Sequence, residues 1–523
     1  MSKQGQNGGS GRVGTSGITR RTFGKAIAGS AAVLSLGASI RPVFGQSPKR
    51  GGKISIAFIG SPNKLDPHVA AGAEEWTLLR SVYDSLVFVD EKLAPKPELA
   101  ERWEASPDST EWTFFLRKGV KFHHGREMDA DDVIYSYQRI LKPETASPAR
   151  SVFSMIERID KLDSHVVKFK LKSPFAEFAE LTGGSFQAKI APRDVSDLVK
   201  SPTGTGPFKF KEFVPGDHVT LLRNDAYWRD GEPYLDEVRF VYLPEEASHV
   251  AGMLSGNLDM TWWPSGEILP IYQATPTIEV SIAQSYGYQP IVMRVDRPPF
   301  DKPEVRKAFR LICDRKQLTR VAVGNLNLPV SNDHPIPPFS PMYMPQETGK
   351  QDIETAKKLL SDAGYKDGLD IEMMAWTGRA GMVQAALAYQ DMAKRANVRI
   401  SVNTVPADIF LSKYWLKHNF FITNWNGRTS LYEMLALAYA SNAKWNESAW
   451  KSQNMDDLIE GVRREQDPEK RKAVFADIQK MFIEDSPAII AYHRPSVVAM
   501  NKRLQGFVPH PSGWLDFRRT WIA

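Results

Sequence analysis

"YDSLVFVDEKLAPKPELAERWEASPDSTEWTFFLRKGVKFHHGREMDADDVIYSYQRIL", Tyr83–Leu141, is the most patterned stretch of this 523-residue chain. It reads as a strand, a Pro-rich turn, a helix start, a hairpin and a capped helix. The hairpin is predicted over Glu111–Phe122, where apolar alternation lies on both sides of Lys118-Gly119. Asp129 stands where a helix N-cap belongs, and Asp132 three residues on can complete a reciprocal capping box. Val133, Ile134, Tyr137, Ile140 and Leu141 then form the buried face of the helix.

Outward from this stretch, strand and helix patterns alternate to the C-terminus. Gly52–Ile59 ("GKISIAFI"), "HVTLLR" from His218 and "EVRFVYL" from Glu237 read as strands. "DIETAKKLLSDAGY" carries Ala356, Leu359, Leu360 and Ala363 on one face and stops at Gly364, a normal C-terminal cap. "DPEKRKAVFADIQKMF" opens with Asp467 as cap and Pro468 at the first helical position, and aligns Val474, Ile478, Met481 and Phe482. Such alternation over this length predicts an α/β protein of two or more lobes, because one core cannot grow to this size.

The charge balance excludes some partners. The formal charge is +6, from 67 basic and 61 acidic residues. Residues 1–45 hold six of those basic residues (Lys3, Arg12, Arg20, Arg21, Lys25 and Arg41) and no acid, so the remainder is neutral. A neutral body gives no electrostatic footprint for nucleic acid or an anionic membrane. The basic head leads through "TRRTFGK" (Thr19–Lys25) to an apolar run, Ala26–Ile40, which is shorter than the ~20 residues needed to span a bilayer. With Val43 and Gly45 at the exit, this is a signal-peptide pattern, and Arg20-Arg21 resemble the twin-arginine export signal. The expected location is the periplasm. Cys313 is the one cysteine, so no internal disulfide can form. It falls on the apolar stripe of "VRKAFRLICDRKQL" and reads as a core thiol.

Enzyme signatures are missing. The sequence holds no HExxH, no Walker loop and no GxSxG elbow. "GTGPF" (Gly204–Phe208) enters a strand and so offers no helix N-terminus to a phosphate. His123 and His124 beside Asp129, Asp131 and Asp132 are accounted for by a turn and a helix cap, without a metal. Glu245-Glu246 opens an amphipathic helix and needs no acid/base role. No cofactor is called for. A hydrolase would need a carboxylate pair or a triad that no readable spacing supplies.

Taken in order, several blocks resemble the extracellular solute-binding proteins, family 5, which serve dipeptide and oligopeptide ABC importers. Tyr83–Leu141 is similar to the family's signature segment, and Gly51–His68 ("GGKISIAFIGSPNKLDPH") to its opening strand and Leu-Asp-Pro turn. Pro202–Trp228 resembles its Gly-Thr-Gly-Pro segment, Pro298–Leu318 its "VR-x-A" helix, and Arg471–Pro495 its closing helix and strand. The resemblance implies the two-lobed periplasmic binding protein fold of the large peptide-binding type. Its first lobe would span 46–285, with an extra subdomain at about 84–185. The second lobe would span 286–492, and 493–523 would return to the first, with crossings near Tyr286–Val295 and Ala488–Arg494. It further implies a monomer that closes on a peptide or peptide-like solute and docks on ABC permease subunits.

For the ligand site, "FFITNWNGRTSLYEMLALAYA" predicts a strand Phe420–Trp425, a turn, and a helix from about Ser430. Loops at strand ends are where open α/β sheets bind ligands. Peptide-binding relatives resemble Gly-Trp-x-x-Asp here, with the Asp holding the ligand's ammonium group, whereas this chain has Arg428 at that place. The sign of the recognised charge is reversed, which puts a free α-ammonium in doubt and opens the alternative of an acidic non-peptide solute such as an opine or sugar acid. Two readings of this turn stand: a solvated surface charge, or a clamp in which Trp425 is an apolar wall and Arg428 grips a carboxylate. Arg379, in "WTGRAG" (Trp376–Gly381), lies close to where relatives have an Arg for the ligand's carboxylate. Asn424, Tyr492, Trp262 and Trp263 complete the candidate cleft residues.

Overall fold

The computed structural model describes residues 47–62, 64–324, 326, 328–377, 379 and 381–523. The signal-peptide reading, including Arg20 and Arg21, lies outside them. Three β-layers organise the described chain. The first is a seven-stranded sheet in the order Ile278–Ala283, Ser496–Asn501, Met260–Trp262, Lys53–Phe58, Glu237–Tyr242, His218–Arg223, Phe208–Val214. Lys53–Phe58 pairs in parallel with Glu237–Tyr242 and Met260–Trp262, and the outer strands are antiparallel. The second is a five-stranded sheet in the order Val398–Val405, Leu369–Trp376, Phe420–Ile422, Ile291–Met293, Ala488–Ile489. The chain passes from the first sheet to the second between Ala283 and Ile291, and back between Ile489 and Ser496.

A third, antiparallel sheet has the order Ala100–Ala105, Glu111–Leu116, Val166–Leu171, Ile156–Asp163. It corrects the hairpin expected over 111–122. Glu111–Leu116 is an inner strand whose two edges are taken by Ala100–Ala105 and Val166–Leu171. With both ladders filled, the segment after Gly119 folds back on itself instead: the Phe122 N–H donates to Arg126 O (2.9 Å) and the Met128 N–H to Val120 O (2.8 Å). The helix Ala130–Leu141 forms as expected, with Asp129 and Asp132 closing the capping box. Val133, Tyr137 and Ile140 are fully buried, and the Tyr137 ring meets Phe169 edge-on at 4.9 Å. Asp132 is also buried, and Arg126 and Arg193 neutralise it. His123 Nε2 meets Gly206 O (3.0 Å) and His124 meets Asp194 (3.1 Å), so both are held by the loop. Cys313 is the residue that ends the helix Pro303–Ile312 rather than a member of its stripe; burial pushes its thiol up to about 12, which leaves it unreactive.

The helices Leu431–Ala438, Gln453–Arg464 and Pro468–Asp485 follow the five-stranded sheet's Phe420–Ile422 strand yet pack against the part of the molecule built on the other two sheets. Arg463 donates to Ser173 Oγ (2.6 Å), Arg471 pairs with Glu177 (3.3 Å), and the Tyr432 ring lies 4.9 Å from Phe175. These contacts tie the segment between Phe420–Ile422 and Ala488–Ile489 to the part of the molecule built on the first and third sheets. Among the described residues no helix is long and apolar enough to cross a membrane.

Candidate functional site

Both parallel ladders end at the same place. Lys53–Phe58 and Met260–Trp262 run out at Gly60 and Trp263; Leu369–Trp376 and Phe420–Ile422 run out at Arg379 and at Trp425–Arg428. The carboxyl ends of two open α/β sheets therefore meet, the position such sheets use for ligands, and Arg379 bridges them to Glu74 and Trp263.

The turn from Asn424 to Thr429 is not a surface turn. Trp425 pairs with the crossing segment through its own N–H to Tyr288 O (2.9 Å) and through the Tyr288 N–H to its carbonyl (3.0 Å). Gly427 is closely packed here: an added Cβ would stand 3.0 Å from both Pro511 O and Ser285 Oγ. The Asn424 amide donates to Asn426 Oδ1 (3.1 Å), while its own Oδ1 is buried without a partner among the described residues. The Trp425 indole donates to Glu447 Oε2 (2.8 Å), and its ring meets Trp445 edge-on at 5.9 Å. Burial pushes Glu447 up to about 7 against the lowering bonds from Trp415, Trp425 and Thr423.

Arg428 is 2 % exposed. Its guanidinium lies 4.3 Å from the Phe186 centroid and 4.9 Å from that of Trp76, with Trp445 at 6.0 Å. Trp76 and Phe186 are themselves stacked, 4.1 Å apart and 2° from parallel. Nε and Nη1 of Arg428 have no hydrogen-bond partner among the described residues. Desolvation lowers its pKa to about 10, with Glu433 the chief opposing influence, so it stays charged at neutral pH. Glu433, in the first turn of the Ser430-capped helix, is fully buried, and neither of its carboxylate oxygens has a hydrogen bond of good geometry among the described residues, the Ser185 hydroxyl being close enough only to interact weakly. Burial raises its pKa, while Arg428 and the nearby Ser185 hydroxyl pull it down. No ion pair within 4.0 Å joins Arg428 to Glu433, so a guanidinium and a carboxylate both present unused hydrogen-bonding capacity. Sequence reasoning missed Glu433. Its signal was an acid inside "LYEMLALA", a helix apolar on every face.

The other candidates divide. Arg379 is already engaged: it forms a two-pronged pair with Glu74 of the helix Ala73–Val82 (3.0 and 3.3 Å) and sits 4.9 Å over Trp263. Trp262 and Trp263 stack at 3.8 Å. Trp263 holds a φ of 56°, uncommon for a bulky residue, and is fixed there by its N–H to Val497 O (2.9 Å). Tyr492 packs in the core of the five-stranded sheet, and its hydroxyl donates to Gln289 Oε1. Arg494, not singled out from the sequence, is 6 % exposed with its guanidinium 4.0 Å over Trp263.

The family model for bacterial extracellular solute-binding proteins, family 5, matches residues 94–447. The chain belongs to this family. It is 23 % identical to the glutathione-binding protein GsiB of Salmonella paratyphi A, over 90 % of this chain and 94 % of that protein. Among solved structures it is similar to the periplasmic binding protein DppA of Helicobacter pylori in complex with the peptide STSA (TM-score 0.85, 23 % identity, covering 91 % and 98 % of the two chains). It also resembles AgaA of A. tumefaciens in complex with agropinic acid (TM-score 0.83, 25 % identity, 90 % and 99 %). The two-lobed peptide-binding fold of the family is thus the fold of this chain.

Proposed function

We propose that this family 5 protein is the substrate-binding subunit of an ABC importer, which captures a peptide or peptide-like solute and hands it unchanged to permease subunits in the inner membrane. The observation that carries this reading is the pair Arg428 and Glu433: two buried groups of opposite charge, Arg428 set among aromatic rings, both with hydrogen-bonding capacity left over. The zwitterionic end of an amino acid or short peptide satisfies both at once, its carboxylate on Arg428 and its ammonium on Glu433. Glu433 thereby removes the objection that Arg428 raises against a free amine. Relatives named for glutathione and for di- and tripeptides support the same class of solute.

In this reading the lobes are 46–285, with a subdomain at about 84–185, and 286–492, with 493–523 returning to the first and the helices within 431–485 leaving the second to pack on the first. Trp425 and Trp263 are walls, Asn424 and Trp262 shape the rim, and Tyr492 supports from behind. The protein works as a monomer, does no chemistry on the solute, and reaches the periplasm on an Arg20-Arg21 signal. Arg428 at the family's acidic position, together with the likeness to an agropinic-acid binder, favours an acidic non-peptide solute as the second reading. Calorimetry of the purified mature protein against dipeptides, their N-acetylated forms and opine-type dicarboxylates separates the two. Stoichiometric binding of a free-amine peptide, recovered intact, is expected; binding of only the amine-free probes establishes the second reading, and steady turnover overturns both.

A further inference from the structure

Around Trp263 the charges do not balance. Two guanidiniums, Arg379 and Arg494, lie over this ring at 4.9 and 4.0 Å, and one carboxylate, Glu74, serves them. Both oxygens of Glu74 are taken by Arg379. Arg494 has no ion pair among the described residues, its Nη1 has no hydrogen-bond partner there, and it lines a cavity with Trp263, Pro264, Leu269, Val323 and Leu326. Its repulsion by Arg379 adds to desolvation in lowering its pKa to about 9. A buried, charged and unpaired group of this kind is costly unless a partner arrives.

The position suits a second contact to the solute held at Arg428. The Arg494 N–H donates to Gly287 O (2.7 Å), and on the other side of Gly287 a Cβ would meet Trp425 O at 3.0 Å and Gly427 N at 3.2 Å. The two arginines thus flank one crossing segment, their backbones about two strand spacings or ~10 Å apart. Gly513 lies against Trp263, and the next residue, Trp514, meets Phe186 edge-on at 5.8 Å, so the Gly513-Trp514 step connects the ring under one guanidinium to the ring under the other.

We infer that Arg494 is a second anion seat, and that the solute is a short peptide or peptide-like compound with net negative charge, one carboxylate on Arg494 beyond the end held by Arg428 and Glu433. This rests on the proposed peptide-binding reading. The test is calorimetry with two isosteric probe pairs, Ala-Glu against Ala-Gln and Ala-Ala-Glu against Ala-Ala-Gln, on wild type, Arg494→Gln and Arg494→Lys. In wild type the acidic member of at least one pair binds tenfold or more tighter than its amide. Arg494→Gln shrinks that ratio to about twofold, whereas Arg494→Lys, which keeps the charge, retains most of it. Equal wild-type affinity within both pairs, or an unchanged ratio in Arg494→Gln, overturns the anion seat while leaving peptide binding intact. Failure of wild type to bind any of the four probes overturns both.

Discussion

Replacing Arg428 by Met tests whether this guanidinium serves the ligand or the fold. In the free protein two opposing effects meet at Arg428. Lowering its pKa from 12.5 to about 10 corresponds to about 3 kcal/mol against the charged form, at 1.36 kcal/mol per unit. Against this, two rings within 5 Å (Phe186 at 4.3 Å and Trp76 at 4.9 Å) each return up to about 2 kcal/mol in a desolvated setting. The two nearly cancel, and Met fills much the same volume. Arg428→Met is therefore expected to move the ligand-free melting temperature by no more than about 3 °C. Binding is a different matter, because a ligand carboxylate deprived of its buried partner loses roughly 3–5 kcal/mol. The dissociation constant should rise on the order of a hundredfold or more. Calorimetry and thermal unfolding on the same preparation give both quantities. A drop of about 8 °C or more in melting temperature with less than about a fivefold change in affinity would refute this reasoning and make Arg428 a strut between aromatic rings.

Arg379→Ala cuts the pair with Glu74 that joins the two lobes, so the ligand-free protein should populate a more open form; small-angle scattering should show a larger radius of gyration, and an unchanged value counts against a latch. Glu447, pushed up to about 7 from 4.5, holds its proton more tightly folded than unfolded. Its contribution is therefore greatest below about pH 4.5, is lost as pH rises through about 7, and amounts to about 3 kcal/mol. Unfolding free energies at pH 5 and pH 8 should show this fall in wild type and a flatter profile in Glu447→Gln. Changing Arg20 and Arg21 together to Lys should leave unprocessed precursor in the cytoplasm on fractionation and immunoblotting; normal processing would remove the twin-arginine assignment.

What the sequence made legible was local. Asp129 with Asp132, Asp467 with Pro468, and Ser430 ahead of Leu431 are caps whose partners lie within one helical turn, and each helix begins where its cap stands. The ordered blocks disclosed the two-lobed fold for a related reason: they are runs of contiguous residues. The site was harder to read because its chemistry joins residues far apart in the chain. Arg379 and Glu74 are 305 positions apart, and no periodicity reports on such a pair. Arg428 was legible as a departure from the acid that peptide-binding relatives carry at that place, but its burial depends on Trp76 and Phe186, which lie far earlier in the chain. Glu433 was readable in principle as a lone acid in an apolar helix, whereas Arg494 sits in a strand-like run that looks ordinary until Trp263 is placed beneath it. The failed hairpin at 111–122 has the same origin, since which strand a neighbouring strand will pair with is not written in either one.

The guanidinium-over-indole contacts at Trp263 also make the cleft its own optical probe. A full positive charge 4.0 Å from the ring centre shifts the energy of the indole excited state, and a carboxylate arriving on Arg494 cancels much of that field. Solute capture should therefore change the colour and yield of intrinsic tryptophan emission with no attached dye. Trp263→Phe removes this indole while keeping a ring under the cation, and should erase the part of that change that reports on Arg494; what remains comes from Trp76 and Trp445 beside Arg428, so the two ends of the cleft can be followed separately in real time.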